Sequence, residues 1–477
     1  MFTTALAHGD AVTSATQAAV GSTVLVVVGV ATAAVLVALV AASLRYPFLG
    51  IAMILVSVAL SGYTVEVGRD GFSLTAFAAN SESLTLRLEY LLVPAGAFAL
   101  ILGRLLRRAP IVFGRSAWLG AWIGVNILSS LLRSPALGYS LRMVYFYVVG
   151  GLAYLGVVNC ATDRSRLRSV LILEAGLVAF EAGFALFLGG RWLDVGVVRL
   201  HGTFQEPVVF AGYMVPMSLL LLAWGIGSAG SRSAPRWLLP AAVAGLIAST
   251  FSMSRASWGM AILGACVVLF FVWLWRPISR KRLFAWASVA SGLAIVAMLI
   301  WIRFAPLLYT SYNDPFPDNV TASGGEPGEP LEERIESDTW LWRLDVAREV
   351  LRSIEQSPFL GQGTLTFGQT HDVFARPSAT PSDGWIPTGS LLALHDTGVI
   401  GLMLYGLLLV TIAFDAVRAM RSGDPEARSL TMGSLAGLIA WVGMEQMSTN
   451  MILGIGWVFL GLVSAASTVV RSGIREG

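Results

Sequence analysis

Charge is scarce in this chain. Of its 477 residues only 13% are Asp, Glu, Lys or Arg, while 56% are hydrophobic and the mean hydropathy is +0.72. A soluble globular protein carries about 25% charged residues, so that class is excluded. Cysteine is scarcer still. Cys160 and Cys266 are the only two, they fall on different expected helices, and they read as buried unreactive thiols. No disulfide framework or thiolate metal site follows from them. Lysine occurs once among 32 basic residues, so positive charge here means arginine. The net charge of +3 reads as membrane topology and not as a nucleic-acid footprint. No basic segment opens the chain, so no cleaved signal peptide is expected. Neither an internal repeat nor a heptad array is evident. No close carboxylate pair stands in an exposed loop; Asp314 and Asp318 fall in a Pro/Gly-rich stretch, so no metal is expected.

What the chain has is apolar runs. A spanning helix needs roughly 20 mainly apolar residues to cross a hydrocarbon core of about 30 Å. Runs of that kind occupy 23–44, 46–62, 90–103, 111–132, 137–159, 167–189, 207–226, 237–251, 255–275, 283–303, 389–414, 429–444 and 450–470. The run 90–103 is short, so the expected fold is an all-α polytopic bundle of 12 or 13 spans. Arginines concentrate in alternate connections: Arg45; Arg104, Arg107 and Arg108; Arg164, Arg166 and Arg168; Arg232 and Arg236; Arg276 to Arg282; Arg418, Arg421 and Arg428; Arg471 and Arg475. Basic residues stay preferentially on the cytoplasmic side, so these connections are expected inside and the amino terminus outside.

The same rule puts the connections 68–89, 191–206, 251–255 and 304–388 outside. The chain thus divides into residues 1–303, an extracytoplasmic loop at 304–388 and a C-terminal membrane segment at 389–477. The loop opens with a polar, acidic, Pro/Gly-rich stretch at 313–330 that reads as disordered. Further on, Trp340, Leu344, Ala347, Leu351 and Ile354 recur at helical spacing, with Asp338 as N-cap and Ser357-Pro358 as the stop. An amphipathic helix packed on the membrane body is expected there, followed by a turn at Pro358 to Gly363.

Three arginines run against the topological rule. Arg199, Arg255 and Arg343 are all expected on the outer side, where positive charge is otherwise sparse. A single one reads as a headgroup contact or a snorkelling side chain. Three together suit a phosphate or pyrophosphate held at the membrane surface, because guanidinium binds phosphate bidentately and stays charged. Gly202 and Thr203, just before Pro207 at a helix start, would let backbone amides approach the same anion.

In order and spacing these pieces resemble the O-antigen ligase/polymerase family. The resemblance runs from about Arg199 to Gly401. It rests on Arg199 with Gly202-Thr203-Phe204 and Pro207, Ser254-Arg255 opening a helix, and Arg343 fifteen positions before Pro358. Leu360-Gly361-Gln362-Gly363 follows, then Leu391 with Asp396-Thr397-Gly398-Val399-Ile400-Gly401. The chain departs from the family at Glu206 and Val208, which flank Pro207 in place of an Asn-Pro-Asn-like run. It departs again at Ala347, in place of a tryptophan, and at Pro387-Thr388, where His-Asn is usual.

The resemblance implies a metal-independent, inverting glycosyltransferase without a cofactor, working at the outer face of the bacterial cytoplasmic membrane. It would move a glycan from undecaprenyl pyrophosphate to a glycan, lipid or protein acceptor, among membrane lipids and with no nucleic acid. Arg199, Arg255 and Arg343, with Gly202 and Thr203, would hold the donor. His395 is the first choice of general base, beside Asp396, and Glu206 is the second; His371 and His201 read as a solvated loop residue and a shaper of the Arg199 turn. Glu174, Glu181, Arg142 and Glu445 lie within expected spans, where charge is costly. They keep open an alternative, a flippase or secondary transporter of an anionic substrate, and behind it an inactive scaffold. The absence of paired broken helices in two halves speaks against transport.

Overall fold

The structure, a computed structural model, describes residues 32–61, 63–68, 71–76, 84–193, 200–204, 206–228, 235, 237–252, 254–275, 331–370, 386–449, 451 and 453–476. The helices are α1 (Thr32–Arg45), α2 (Pro47–Ala59), α3 (Leu88–Leu106), α4 (Ser116–Arg133), α5 (Leu137–Cys160), α6 (Arg164–Leu193) and α7 (Pro207–Gly227). They continue with α8 (Leu238–Thr250), α9 (Arg255–Trp275), α10 (Leu331–Gln356), α11 (Phe367–Thr370), α12 (Gly389–Ala419), α13 (Pro425–Glu445) and α14 (Gly454–Glu476). Among the described residues seven of them are long and apolar enough to cross a membrane, and α1, α2 and α8 are shorter apolar helices. The protein is a multi-pass helical membrane protein. Every expected span carries one of these helices except 283–303, which lies outside the described residues, as does the stretch 313–330.

Local chemistry sets several boundaries. Proline opens α2, α7 and α13, where its missing N–H costs nothing, and the Asp424 side chain caps α13 by accepting from the Glu426 N–H at 3.0 Å. Where two helices must come close, small residues allow it. A Cβ on Gly433 would lie 2.8 Å from the Leu220 carbonyl oxygen and one on Gly437 2.7 Å from that of Pro216, so α13 presses its Gly-x-x-x-Gly face onto the α7 backbone. Trp122 of α4 stacks at the centre of the bundle against Tyr147, Tyr405 and Trp457 from α5, α12 and α14, with ring centroids 4.6, 5.6 and 5.5 Å away.

Beside Cys266, which is exposed on α9 and not buried as expected, two expectations need correction. Half of the connection expected as a loop at 68–89 belongs to a three-stranded antiparallel sheet, ordered β2-β1-β3, of β1 (Tyr63–Gly68), β2 (Gly71–Ala76) and β3 (Leu84–Arg87). Its register sets Val65 opposite Leu74 and Leu86, and Val67 opposite Phe72 and Leu84. That is the period-two alternation of a strand, short enough to be passed over between two long apolar runs. The second correction concerns α10. It starts at Leu331, so Asp338 lies inside the helix and not at its cap. Its protein-facing side is Val346, Val350 and Ser353, all buried, while Leu344 and Leu351 are 38% and 55% exposed. Singly exposed leucines are ordinary on a protein surface, so apolar spacing alone did not identify the packed side.

The arginines sort the helix ends into two sets. At one end Arg104 donates to the carbonyls of Pro110 and Asn159, and Arg107 to that of Leu44. At the same end Arg168 and Arg164 pair with Glu426, and Asp415 accepts from both Arg115 (2.7 and 2.8 Å) and Arg471 (2.9 Å). These contacts join the ends of α1, α3, α4, α5, α6, α12, α13 and α14 that the charge pattern assigned to one side. The opposite end carries the sheet, the turn before α7, the start of α9, α10 and the start of α12.

Candidate active site at the arginine-poor end

The site begins with a break in a helix. At Gly398 the backbone of α12 takes φ 63° and ψ −164°, a conformation essentially restricted to glycine. Two regular helix bonds are lost there, from the N–H groups of Val399 and Ile400 to the carbonyls of His395 and Asp396. All four groups are re-satisfied by the turn that follows α10. Val399 N–H donates to Pro358 O at 2.8 Å and Ile400 N–H to Phe359 O at 3.4 Å. Gln362 N–H donates to His395 O at 2.8 Å and Gly363 N–H to Asp396 O at 3.2 Å. In a lipid-embedded helix such groups need protein partners, and the turn supplies them. Gly361 (φ 71°) and Gly363 (φ 97°) are needed for the approach, since a Cβ on Gly361 would lie 2.3 Å from His395 O. Gln362 further ties the turn to α10 by donating its side-chain amide to Ser353 O at 2.8 Å.

The break orients the two residues before it. His395 is fully buried, with its Nδ1 2.9 Å from Asp396 Oδ1 and the edge of Phe367 against its ring at 5.2 Å. The other Asp396 oxygen accepts the Leu365 N–H at 2.9 Å. A carboxylate so held fixes the tautomer and tilt of the imidazole, which is the arrangement a general base requires. Behind the pair lies a buried polar layer. Ser129 donates to Asp396 O at 2.6 Å, and Thr364 bonds Ser130 and Asn126 at 3.1 and 3.0 Å, all from α4 and the turn.

Two cationic groups stand on other helices at the same end. Arg343, half-buried on α10, donates from Nη1 to Met447 O at 2.7 Å, at the carbonyl end of α13. Burial pulls this guanidinium below the ordinary arginine value, although it remains cationic at any working pH. Arg255, the exposed first residue of α9, stands at the same level. Met260 packs over Gly443 of the antiparallel α13, and a rise of about 7 Å from each brings the chain to Arg255 and Met447. The start of α12 joins them, with Ser390 donating to Gln446 Oε1 at 2.6 Å. Residues 446 and 447 are therefore where α10 and α12 meet the end of α13, which the sequence did not signal.

The remaining sequence-selected residues lie elsewhere. Gly202 and Thr203 form a turn tied to α6 and α2, where Glu181 accepts the Thr203 N–H at 3.0 Å. That amide is already taken by the protein's own carboxyl group. Glu206, exposed, is the residue before α7 and makes no side-chain cap there. Burial lowers the His201 imidazole below its ordinary value, keeping it neutral beside the turn. Arg199 and His371 lie outside the described residues. Of the carboxyls within spans, Glu174 accepts from Tyr213 at 2.8 Å and Glu181 contacts Thr203.

A family model described as O-antigen ligase matches residues 240–406, from the start of α8 to just past the break in α12. The exopolysaccharide production protein ExoQ of Rhizobium meliloti is 24% identical over 310 residues, covering 61% of this chain and 64% of that relative. Both comparisons support the O-antigen ligase/polymerase family. The matched segment contains Arg255, Arg343, His395, Asp396 and the glycine turn. It leaves out Arg199, Gly202, Thr203 and Glu206. The match to ExoQ thus spans less than two thirds of that relative's length.

Proposed function

We propose that this protein is a glycosyltransferase that moves a glycan from undecaprenyl pyrophosphate to an acceptor hydroxyl, at the outer face of a bacterial cytoplasmic membrane. The observation that carries this reading is the docking of the 358–363 turn on the break in α12, inside the matched segment. It fastens the helix bearing Arg343 to the helix bearing His395 and Asp396. Arg343 and Arg255, with Arg199 from the preceding connection, would bind the pyrophosphate and stabilise the charge that grows on it as the anomeric bond breaks. His395, oriented by Asp396, would take the proton of the attacking hydroxyl, with Glu206 as the alternative acceptor of that proton. The acceptor would approach the anomeric carbon from the side opposite the pyrophosphate, which inverts the configuration. Gly202 and Thr203 would shape the donor side of the site through their turn.

The acceptor is a finished glycan's lipid or protein target in a ligase and another repeat unit in a polymerase. Pro387-Thr388, in place of the family's His-Asn, favours a polymerase or a divergent acceptor. The test is purified protein in liposomes containing lipid-linked glycan. Loss of that lipid on adding acceptor outside, with release of undecaprenyl pyrophosphate, is the expected result. Movement of the intact donor across the bilayer without its consumption would establish the transporter reading instead.

A further inference from the structure

Glu181 lies on α6, fully buried, and three contacts converge on it and its neighbour Thr203. The Thr203 N–H donates to Glu181 Oε2 at 3.0 Å; the Thr203 hydroxyl oxygen lies 2.6 Å from Ala59 O and 2.7 Å from Glu181 Oε1. A hydroxyl has a single hydrogen, and a backbone carbonyl can only accept. The Ala59 contact therefore takes the hydroxyl hydrogen, since one hydrogen cannot point along two such short contacts at once. The contact at 2.7 Å then needs its hydrogen from the carboxyl. An ionised Glu181 would set two oxygens against each other with nothing between them, and would bury a charge that no cation faces among the described residues.

We propose that Glu181 is a positioning residue that works as a neutral carboxylic acid, clasping the Gly202-Thr203-Phe204 turn to the end of α2 and the body of α6. One carboxyl oxygen accepts from the Thr203 N–H, the other donates to its hydroxyl oxygen, and the Thr203 hydroxyl donates to the carbonyl of Ala59 at the end of α2. The turn has been shaped around this carboxyl. Gly202 sits at φ 57°, and a Cβ there would lie 2.4 Å from Glu181 Oε2 and 3.0 Å from the Phe210 ring. Phe204 is buried against Phe210 and Tyr213, so the turn is also anchored from the α7 side. Being uncharged, the clasp can sit within the membrane body while fixing the connection that leads from Arg199 into α7. Its importance for transfer rests on the glycosyltransferase reading; its protonation and its hold on the turn do not.

Replacement by the neutral isostere separates this role from that of a carboxylate. In Glu181→Gln the amide can donate to Thr203 Oγ1 and accept from its N–H, so transfer should stay within about twofold of the parent. Glu181→Asp, one methylene short, and Glu181→Ala should each lose about 10²-fold, the effect of a misplaced group at a reacting site. Infrared difference spectra between the parent and Glu181→Gln at neutral pH should show loss of a protonated-carboxyl C=O stretch. A Gln variant as inactive as the Ala variant, or loss of a carboxylate band in place of the acid band, would overturn the proposal. Should the parent itself transfer no glycan, the glycosyltransferase reading fails alone. The infrared band and the thermal midpoint, expected unchanged in Gln and lowered in Ala, still decide the role of Glu181.

Discussion

Phe359 and Gly398 meet backbone to backbone: a Cβ on Gly398 would lie 2.4 Å from the Phe359 carbonyl carbon and 2.5 Å from its oxygen. Neither partner can yield without undoing the four hydrogen bonds around the break.

Gly398→Ala should therefore destabilise the protein by more than the ~1–3 kcal/mol of an unfavourable backbone conformation alone. The measurement is the thermal midpoint of detergent-solubilised protein, with Gly406→Ala as control. Gly406 is on the same helix, and a Cβ there meets nothing within 4 Å. That variant should be neutral or gain about 0.5–1 kcal/mol. Equal midpoints for the two would mean that the turn does not hold the break.

Arg343 should be required for transfer. Its replacement by Ala should abolish turnover while the protein remains inserted, and Lys should rescue poorly because an ammonium cannot reproduce the bidentate fork. Arg255→Ala and Arg199→Ala should behave alike. The exposed Arg348, on the same helix as Arg343, serves as control and should be near normal when changed to Ala. Equal losses at Arg343 and Arg348 would point to folding.

The base is tested by comparing two variants. His395→Ala should bind lipid donor normally and turn over about 10²- to 10⁴-fold more slowly, with a flattened pH dependence near neutrality. Asp396→Asn should fall between it and the parent, because Leu365 keeps an acceptor but the imidazole loses its charged partner. If His395→Ala turns over fully and Glu206→Gln does not, the base is Glu206.

Topology is tested by single cysteines on a background lacking Cys160 and Cys266. A cysteine at Phe359, 67% exposed in the turn, should react with an impermeant reagent added to intact cells. One at Arg166, exposed at the arginine-rich end, should react only after the cells are opened. The reverse pattern would invert the protein and move the site to the cytoplasm.

Much of the architecture was legible because membrane spans are written in composition. A run such as 207–226 can hardly be anything but a helix in lipid, and the arginines sort its ends. The turn at Pro358 to Gly363 was legible too, whereas the break at Gly398, inside the expected span 389–414, was not. Which side of each helix faces protein was not. Leu351 faces outward and Ser353 inward on α10, so apolar spacing alone does not tell its two sides apart. The meeting of Arg343 and Ser390 at residues 446 and 447 depends on how α10 and α12 pack on the end of α13. No local pattern encodes that. Glu181 drew notice only as a costly charge, because its pairing with Thr203 spans twenty-two positions.

The shared hydrogen bonds between residues 358–363 and 395–400 also govern how such chains can be recombined. A chimera with a crossover between Gln356 and Gly389 separates α10 from α12 and asks a foreign turn to seat itself on an unfamiliar break. A crossover at Gly423, between α12 and α13, inherits both halves from one parent. Exchange of acceptor preference between relatives should therefore succeed when the block from α10 to Ala419 travels whole, and yield unfolded protein when the loop travels alone.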